Sequence, residues 1–366
     1  MSHTLFEYDT EIYADSVEAI PNSYQGFFLS GTYQLDEQTR KRNGRITLHQ
    51  FQDSDSSVRT YSHIDVPGVL DMKFNPDRIG DQHTLAVALS DGTLRMLQLD
   101  LPSHQWKDDL RLLIDTESTI CLSVDWSNQI HPDPTPQVAV SLSNGEMSIV
   151  SFREDSLCLL HKWKAHTLPY VHTPAEVWIT SFDPNEPSTV FSGGDDGLLK
   201  QWDTRMVDAY ASPVLVNRDA GAGVTSMCWN KYNSQYMTVG SYDGHVRLYD
   251  KRSMTRAVSD LDLENNAGIW RIKYKYNCNY YSDRQHGIDR ESALCRDEFL
   301  VAAMRAGFVV MNCDQSLRLK KDVEYLKQGG ESLAYGVDYV YQSEEDKKEG
   351  VAASCSFYNH MMHVWD

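Results

Sequence analysis

The chain lacks the features that mark membrane and secreted proteins. No run of about 18 consecutive apolar residues occurs in it, so we expect no insertion into a membrane. Its first residues contain neither a basic stretch nor an apolar stretch, so we expect no signal peptide and a cytoplasmic protein. The 7 cysteines are scattered without any Cys-x-x-Cys pair, and we interpret them as reduced thiols.

The sequence marks of several common enzyme sites are also missing. There is no Gly-x-Ser-x-Gly segment, which would carry the nucleophile of an α/β-hydrolase. There is no phosphate-binding Gly-x-x-x-x-Gly-Lys-Ser/Thr loop and no dinucleotide fingerprint. His360 and His363 stand three residues apart, but a loop followed by a strand would turn them in different directions. We therefore expect neither a metal ion nor an organic cofactor.

Positive charge is scarce. The 34 Lys and Arg residues are outnumbered by 52 Asp and Glu residues, which gives a formal net charge of −18. Such a chain repels a phosphate backbone on average, so we do not expect it to bind nucleic acid. An acidic surface suits a basic protein partner or a cationic ligand, and it equally serves to keep a protein soluble.

One short phrase recurs along the chain. It is an Asp-Gly or Asn-Gly turn followed by an alternating strand, with its glycine at Gly92, Gly145, Gly197 and Gly244. The interval is roughly 50 residues, somewhat longer than in most WD repeats. Two copies end in Trp-Asp, at Trp202 and at Trp365. This pattern is typical of WD repeats and predicts an all-β protein, a β-propeller.

A second phrase marks the innermost strand of each predicted blade. It occurs seven times, at residues 16–19, 71–74, 123–126, 179–182, 226–229, 271–274 and 336–339. The sequence therefore predicts seven blades in a single domain over residues 1–366. The last unit has only three strands, and an open sheet edge is an aggregation hazard. The alternating segment 5–11 is the natural donor of the missing strand, so we predict a propeller closed by an N-terminal strand.

The starts of the inner strands converge on one mouth of the central channel. The residues near these starts or on the adjoining turns include aromatics, an arginine, a carboxylate and candidate bases: His166, His172, Glu176, Trp178, Trp270, Arg271, Tyr335, Ser356, Tyr358 and His360. Such a set could form a ligand site. Trp and Tyr at blade junctions are also common packing residues, and a His–Asp pair that links a loop to a strand is common in this fold. His166 fits that structural role better than His172 does.

Longer phrases carry a resemblance to a known family. They lie at residues 14–18, 31–35, 192–198, 202–205, 240–243, 268–273, 332–336 and 355–360. The most specific of them contain Trp270-Arg271, Leu333-Ala334-Tyr335-Gly336 and Cys355-Ser356-Phe357-Tyr358. Through these phrases the chain resembles the WD-repeat diphthine methylesterases of diphthamide biosynthesis, which are also called diphthine methyltransferases.

The resemblance implies a substrate and a reaction. In this family the substrate is translation elongation factor 2 with a modified histidine that carries a trimethylammonium group and a carboxyl methyl ester. Hydrolysis of the ester releases methanol and leaves diphthine for amidation. We therefore expect a protein methylesterase that acts as a monomer, without a cofactor, on elongation factor 2.

The expected chemistry assigns roles to the catalytic candidates. Ester hydrolysis needs a base or a nucleophile and a group that stabilises the oxyanion. His172 or His166 would be the base, since either could hold the family's histidine position, and Glu176 would orient it. Arg271 or backbone N–H groups would stabilise the oxyanion. Ser356 is the candidate nucleophile, although no neighbouring sequence feature indicates that it is activated.

The substrate-binding candidates are aromatic. Quaternary ammonium groups bind over aromatic faces, so we expect Trp178, Trp270, Tyr335 and Tyr358 to hold the trimethylammonium group, with His360 beside them. The alternative is a non-catalytic WD-repeat scaffold that binds protein partners, which is what most propellers do.

The polar segments 280–296 and 343–350 are predicted to be surface loops.

Overall fold

A computed structural model describes residues 2–21, 26–52, 54–77, 82–153, 155–208, 210–230, 233–263, 267–275, 298–325, 332–340 and 351–366. The loops predicted over 280–296 and 343–350 lie outside these ranges. Among the described residues no helix combines the length and the apolar character needed to cross a membrane. Their five cysteines form no disulfide.

The described ordered structure consists of β-strands. In chain order they are β1 (Thr4–Asp9), β2 (Ala14–Ala19), β3 (Phe27–Thr32), β4 (Gln34–Leu35), β5 (Arg42–Gln52), β6 (Ser57–Pro67), β7 (Val69–Phe74), β8 (His83–Leu89), β9 (Thr93–Asp100), β10 (Gln105–Leu113), β11 (Cys121–Trp126), β12 (Gln137–Leu142), β13 (Glu146–Arg153), β14 (Ser156–Lys164), β15 (Ile179–Phe182), β16 (Thr189–Gly193), β17 (Leu199–Asp203), β18 (Leu215–Asn217), β19 (Val224–Trp229), β20 (Tyr236–Ser241), β21 (His245–Asp250), β22 (Ser259–Asp262), β23 (Arg271–Tyr274), β24 (Glu298–Ala303), β25 (Gly307–Cys313), β26 (Leu319–Tyr325), β27 (Ala334–Val340), β28 (Val351–Ser356) and β29 (Met361–Trp365).

These strands form seven antiparallel sheets, which are the blades of a β-propeller. Blade 1 contains β2 to β6, and each of the next five blades contains the four strands that follow in the chain. Blade 7 contains β27, β28 and β29, and β1 completes it by pairing with β29, with Glu7 opposite His363. All seven predicted inner-strand phrases lie in inner strands. The predicted seven-bladed fold, closed by an N-terminal strand, is confirmed.

The core lies between the blades. Seven clusters of buried apolar side chains are present, and each draws its members from two neighbouring blades. For example, Phe28 of blade 1 and Met362 of blade 7 belong to one cluster. Because every sheet buries its two faces against two neighbours, the ring is stable only when it is complete.

Most inner strands contain a β-bulge at their start, where they form the mouth of the channel. In β2, β7, β11, β19 and β27 a β-bulge leaves one residue without a register partner next to the strand start. Trp178 and Trp270 hold the equivalent place immediately before β15 and β23. We call these seven residues the mouth layer: Asp15, Leu70, Leu122, Trp178, Thr225, Trp270 and Tyr335. Five of them, all except Asp15 and Tyr335, line one small pocket, so this part of the layer faces the channel.

Folding stability is expected to depend on pH through His49. Burial lowers the pKa of this side chain to about 3, and its ring nitrogens lie 2.8 Å from Ser30 Oγ and 3.1 Å from Thr60 Oγ1. The unfolded chain binds a proton at this histidine below about pH 6.5, whereas the folded chain does not. The unfolding free energy should therefore fall by up to about 1.4 kcal/mol per pH unit as the pH drops from 6.5 towards 3.

Urea unfolding at a series of pH values measures this dependence. The His49→Gln variant should lose the contribution of one histidine to the slope, while His131→Gln, at an exposed position, should match the wild type. Equal slopes for wild type and His49→Gln would contradict the assignment.

Candidate functional site

A continuous series of aromatic side chains crosses the channel mouth. Trp178 of blade 4 lies 5.7 Å from Trp270 of blade 6, measured between ring centroids. Trp270 lies 4.7 Å from Tyr335, and Tyr335 stacks on Phe357 at 4.9 Å. The four side chains are partly exposed. Three of the predicted substrate-binding residues, Trp178, Trp270 and Tyr335, are therefore brought together.

Two further aromatics, Tyr242 and Tyr13, join this series, and the sequence analysis missed both of them as well as Phe357. Tyr242 lies 5.9 Å from Trp178, and Tyr13 stacks on Phe357 at 4.9 Å. Tyr242 stands in the turn phrase at the place where Asp195 stands one repeat earlier, and an aromatic there was a usable signal. Phe357 is adjacent to the predicted Tyr358. Tyr13 carries no local signal, because its contacts depend on ring closure.

The other two predicted binding residues lie at the blade 7 end of the series. Tyr358 is 54% exposed and lies 5.1 Å from Phe357 in an edge-to-face arrangement. The His360 ring lies 4.7 Å from Tyr13. They extend the aromatic surface outwards from the mouth layer.

Two carboxylates border the blade 4 side of the aromatic series. The Trp178 indole N–H donates to Asp195 Oδ1 at 3.4 Å, and the Asp195 backbone N–H donates to the Glu176 carbonyl at 2.9 Å. Partial burial and the neighbouring Asp195 raise the pKa of the Glu176 carboxyl. Glu176 therefore lies at the mouth as predicted, next to a second acid that the sequence analysis did not select.

Arg271 lies at the floor of the mouth. Its Nη1 is 3.1 Å from Asp71 Oδ1 of blade 2, so the ion pair spans the channel. Asp71 Oδ2 also accepts from Ser123 Oγ at 2.8 Å and from the Val124 backbone N–H at 3.1 Å. Burial raises the pKa of Asp71, but Arg271 and Lys73 outweigh it and hold the pKa below its usual range.

Arg271 also separates two spaces in the channel. Above it lies a pocket of about 30 Å³, which Trp178 and Trp270 line. Below it lies a chamber of about 120 Å³ with the ion pairs of Lys73 and Lys273 in its wall. The upper pocket is the size of a single water molecule. A guanidinium beside such a pocket can donate to an oxyanion, and this role of Arg271 stays a prediction.

His166 is buried inside blade 4 and hydrogen-bonded to its neighbours. It is 1% exposed, with Nδ1 2.7 Å from Asp196 Oδ1 and Nε2 2.7 Å from Ser192 Oγ. The Trp202 indole N–H donates to the same Ser192 hydroxyl at 2.8 Å. Both ring nitrogens are occupied and no ligand can reach them. This geometry favours the structural role of His166 over the predicted role of catalytic base.

His172 and Ser356 have different surroundings: His172 is exposed, and Ser356 is buried directly before Phe357 of the aromatic series. His172 lies exposed on a hairpin in which the Leu168 backbone N–H donates to the Thr173 carbonyl at 2.9 Å. Ser356 is fully buried at the end of β28. Its role as the nucleophile stays a prediction. Among the described residues no group of three His, Cys, Asp or Glu side chains could hold a metal ion.

His166→Leu is expected to destabilise the fold. The change removes the His166 partner of the buried Asp196 carboxylate, which keeps only the Leu198 backbone N–H and Lys200, and it leaves the buried Ser192 hydroxyl without its histidine; such losses typically cost about 1–3 kcal/mol. Urea unfolding measures the loss. His172→Leu, on the exposed hairpin, is the matched control and should leave the unfolding free energy within about 0.5 kcal/mol of wild type. Equal stabilities for the two variants would contradict the structural role.

Comparison with known proteins agrees with the fold and with the family resemblance. The model of the WD domain, G-beta repeat, matches residues 158–203 and 214–250. A solved structure described as the crystal structure of mitotic checkpoint complex contains a chain that aligns with 99% of this chain and 91% of its own length. The TM-score is 0.63 and the identity is 12%, so this likeness concerns the fold alone.

The chain is similar over most of its length to proteins named diphthine methyltransferase. The one from Mus musculus is 29% identical, over 91% of this chain and 68% of its own length. The one from Schizosaccharomyces pombe is 26% identical, over 94% of this chain and 91% of its own length. These homologues confirm the resemblance that the sequence phrases indicate.

Proposed function

We propose that this homologue of the proteins named diphthine methyltransferase acts in diphthamide biosynthesis. The proposed reaction is hydrolysis of the carboxyl methyl ester of methylated diphthine on translation elongation factor 2, which releases methanol. The observation that carries the proposal is the aromatic series at the channel mouth, bordered by Glu176 and Asp195. It suits a substrate side chain that carries a quaternary ammonium group.

The recognition step follows from the chemistry of that cation. A trimethylammonium group has no N–H to donate, so a protein binds it by aromatic faces and nearby negative charge. Each face contributes roughly 0.5–2 kcal/mol, and more when water is excluded. Trp178, Trp270 and Tyr335 offer three adjoining faces, and the carboxylates of Glu176 and Asp195 add attraction. The formal net charge of −18 favours approach of a cationic ligand.

The hydrolytic step requires stabilisation of the oxyanion. In the methylated substrate the ester and the ammonium group are close together, so an ammonium group held on the tryptophans brings the ester to the opening of the small pocket that Arg271 lines. Its guanidinium lines the small mouth pocket and keeps N–H groups in addition to the one directed at Asp71. Donors that are already positioned before the reaction stabilise the developing negative charge strongly.

Mass spectrometry of the substrate tests the proposal. Purified protein is incubated with methyl-esterified elongation factor 2, without any methyl donor, and the modified peptide is expected to lose the mass of one methylene group as methanol appears. Elongation factor 2 that already carries diphthine is the control and should not change. Binding of the factor without loss of mass would instead support the non-catalytic scaffold.

A further inference from the structure

The mouth layer contains one carboxyl group, that of Asp15. The other six members are apolar, aromatic or a hydroxyl residue. Asp15 is 2% exposed, and its Oδ2 has no hydrogen-bond partner. A buried carboxyl oxygen without a hydrogen-bond partner destabilises the fold. Its presence therefore indicates that the carboxyl group has a function.

The other buried acids of the channel are held in place. Glu18 Oε1 accepts from the Phe74 backbone N–H at 3.2 Å, and Asp125 Oδ2 accepts from the Phe182 backbone N–H at 2.7 Å. Asp338 Oδ2 accepts from the Ala19 backbone N–H at 3.0 Å. These three carboxylates connect neighbouring inner strands. Asp15 departs from this pattern, although it belongs to the same strand as Glu18.

The surroundings of Asp15 come from four strands of three other blades. The charged and titratable groups that act on it or feel its charge are Arg271 of β23, Asp71 of β7, Tyr335 of β27 and Cys355 of β28. Burial raises the pKa of the Asp15 carboxyl to about 8, Arg271 opposes the rise and Asp71 adds to it. Both protonation states are therefore populated near neutral pH, as a group that exchanges protons requires.

We propose that Asp15 is a catalytic residue of the ester hydrolysis, namely the group that accepts and returns the proton. The inference rests on the proposed function. Both ring nitrogens of His166 are bound, so His166 cannot be the base. Asp15 takes that role in our proposal, near Arg271 and Tyr335.

The proton balance is as follows. An O–H bond of the attacking water breaks and its proton passes to Asp15 Oδ2, while the water oxygen bonds to the ester carbonyl carbon. The electron pair of the C=O bond moves to the carbonyl oxygen, next to Arg271. When this oxyanion collapses, the bond from carbon to the methoxy oxygen breaks. The methoxy oxygen takes the proton from Asp15 and leaves as methanol, and the new carboxylic acid releases its own proton to solvent.

The Asp15→Asn variant tests this role, because it keeps the shape and removes the base. Under single turnover, the rate of ester loss at saturating substrate should fall at least ~100-fold, while the concentration that gives half the maximal rate changes less than about 2-fold. Asp65→Asn is the matched control on the outer strand of the same blade, where the carboxylate is exposed and paired with Arg45, and it should retain the wild-type rate.

The wild-type pH profile is a second test that does not depend on any variant. The base form of Asp15 is the carboxylate, so the rate should rise with pH through a midpoint near 8 and then level off. Asp15→Glu should keep part of the activity, because it retains a carboxyl group.

Each outcome separates the two hypotheses. If the wild type releases no methanol, the proposed function fails. If the wild type is active and folded Asp15→Asn matches its rate, or loses only affinity, the role of Asp15 is wrong and the proposed function stands. If Asp15→Asn does not fold, the profile decides: a rate that is level between pH 7 and 9 overturns the role of Asp15.

Discussion

Trp270→Ala is expected to lower the rate of ester hydrolysis at least ~10-fold, which corresponds to about 1.4 kcal/mol of barrier. Trp270 is the centre of the aromatic series, with Trp178 and Tyr335 at 5.7 and 4.7 Å. Its removal takes away one cation-binding face, and Trp178 and Tyr335 each lose the ring against which they pack. Trp270 belongs to none of the seven apolar clusters between blades, so the propeller should stay folded.

The measurement compares single-turnover rates on methyl-esterified elongation factor 2 with the unfolding midpoint of each variant. Trp270→Phe keeps an aromatic face and should lie between wild type and Trp270→Ala. Tyr210→Ala removes an aromatic that is 92% exposed on the loop between β17 and β18, at the opposite end of its blade from the mouth, and it should be fully active. Folded, fully active Trp270→Ala would place the site elsewhere.

Arg271→Ala is also expected to slow the reaction at least ~10-fold, since loss of an oxyanion donor typically lowers rates by 10²–10³. This variant needs a stability measurement beside the rate. It leaves the buried carboxylate of Asp71 without its cation, so some destabilisation accompanies the catalytic loss. The sequence alone did not indicate this, because the pair joins blade 6 to blade 2.

The fold could be predicted from the sequence because its determinants are local. Gly92 and Gly244 adopt φ values of 76° and 85°, which residues with a Cβ rarely adopt, so each repeat carries its turn glycine. The strands beside these turns are buried along most of their length, because each blade packs against two neighbours. Seven inner-strand phrases therefore sufficed to predict seven blades and an incomplete last unit.

The site could be predicted only in part, because it is assembled across blades. The starts of the inner strands were recognisable, and they yielded Trp178, Trp270 and Tyr335. Asp15 and Tyr13 come from a segment distant in sequence from the rest, and ring closure alone brings them to blades 6 and 7. The bulge that turns Asp15 into the mouth layer has no mark in its own phrase. His166 and Ser356 were selected because they stand near the strand starts or on the adjoining turns, but their side chains lie in the interior.

Removal of residues 2–11 is expected to leave the chain unable to form a stable propeller. The deletion takes away β1, whose Leu5, Phe6 and Tyr8 pack on the apolar cluster between blades 7 and 1. Full burial of a side chain of this size contributes roughly 1.5–3 kcal/mol, and these three are partly buried, so each contributes a fraction of that. Their sum, together with the pairing to β29, is a substantial part of the stability of an ordinary domain, which is about 5–15 kcal/mol.

Ring closure makes this loss larger than that of an ordinary edge strand. Without β1 the backbone of β29 is bare, and the hydrogen bond from the Thr10 backbone N–H to the His360 carbonyl, 2.8 Å long, disappears with it. Blade 7 then loosens from blade 1, and every other blade depends on a closed ring. Urea unfolding and size-exclusion chromatography should show a collapsed midpoint and aggregates for the truncated chain. Glu7→Gln, which keeps the strand, should behave as wild type, and an added peptide of residues 2–11 should restore part of the stability. A truncated chain with an unchanged midpoint would mean that β1 does not hold the ring closed.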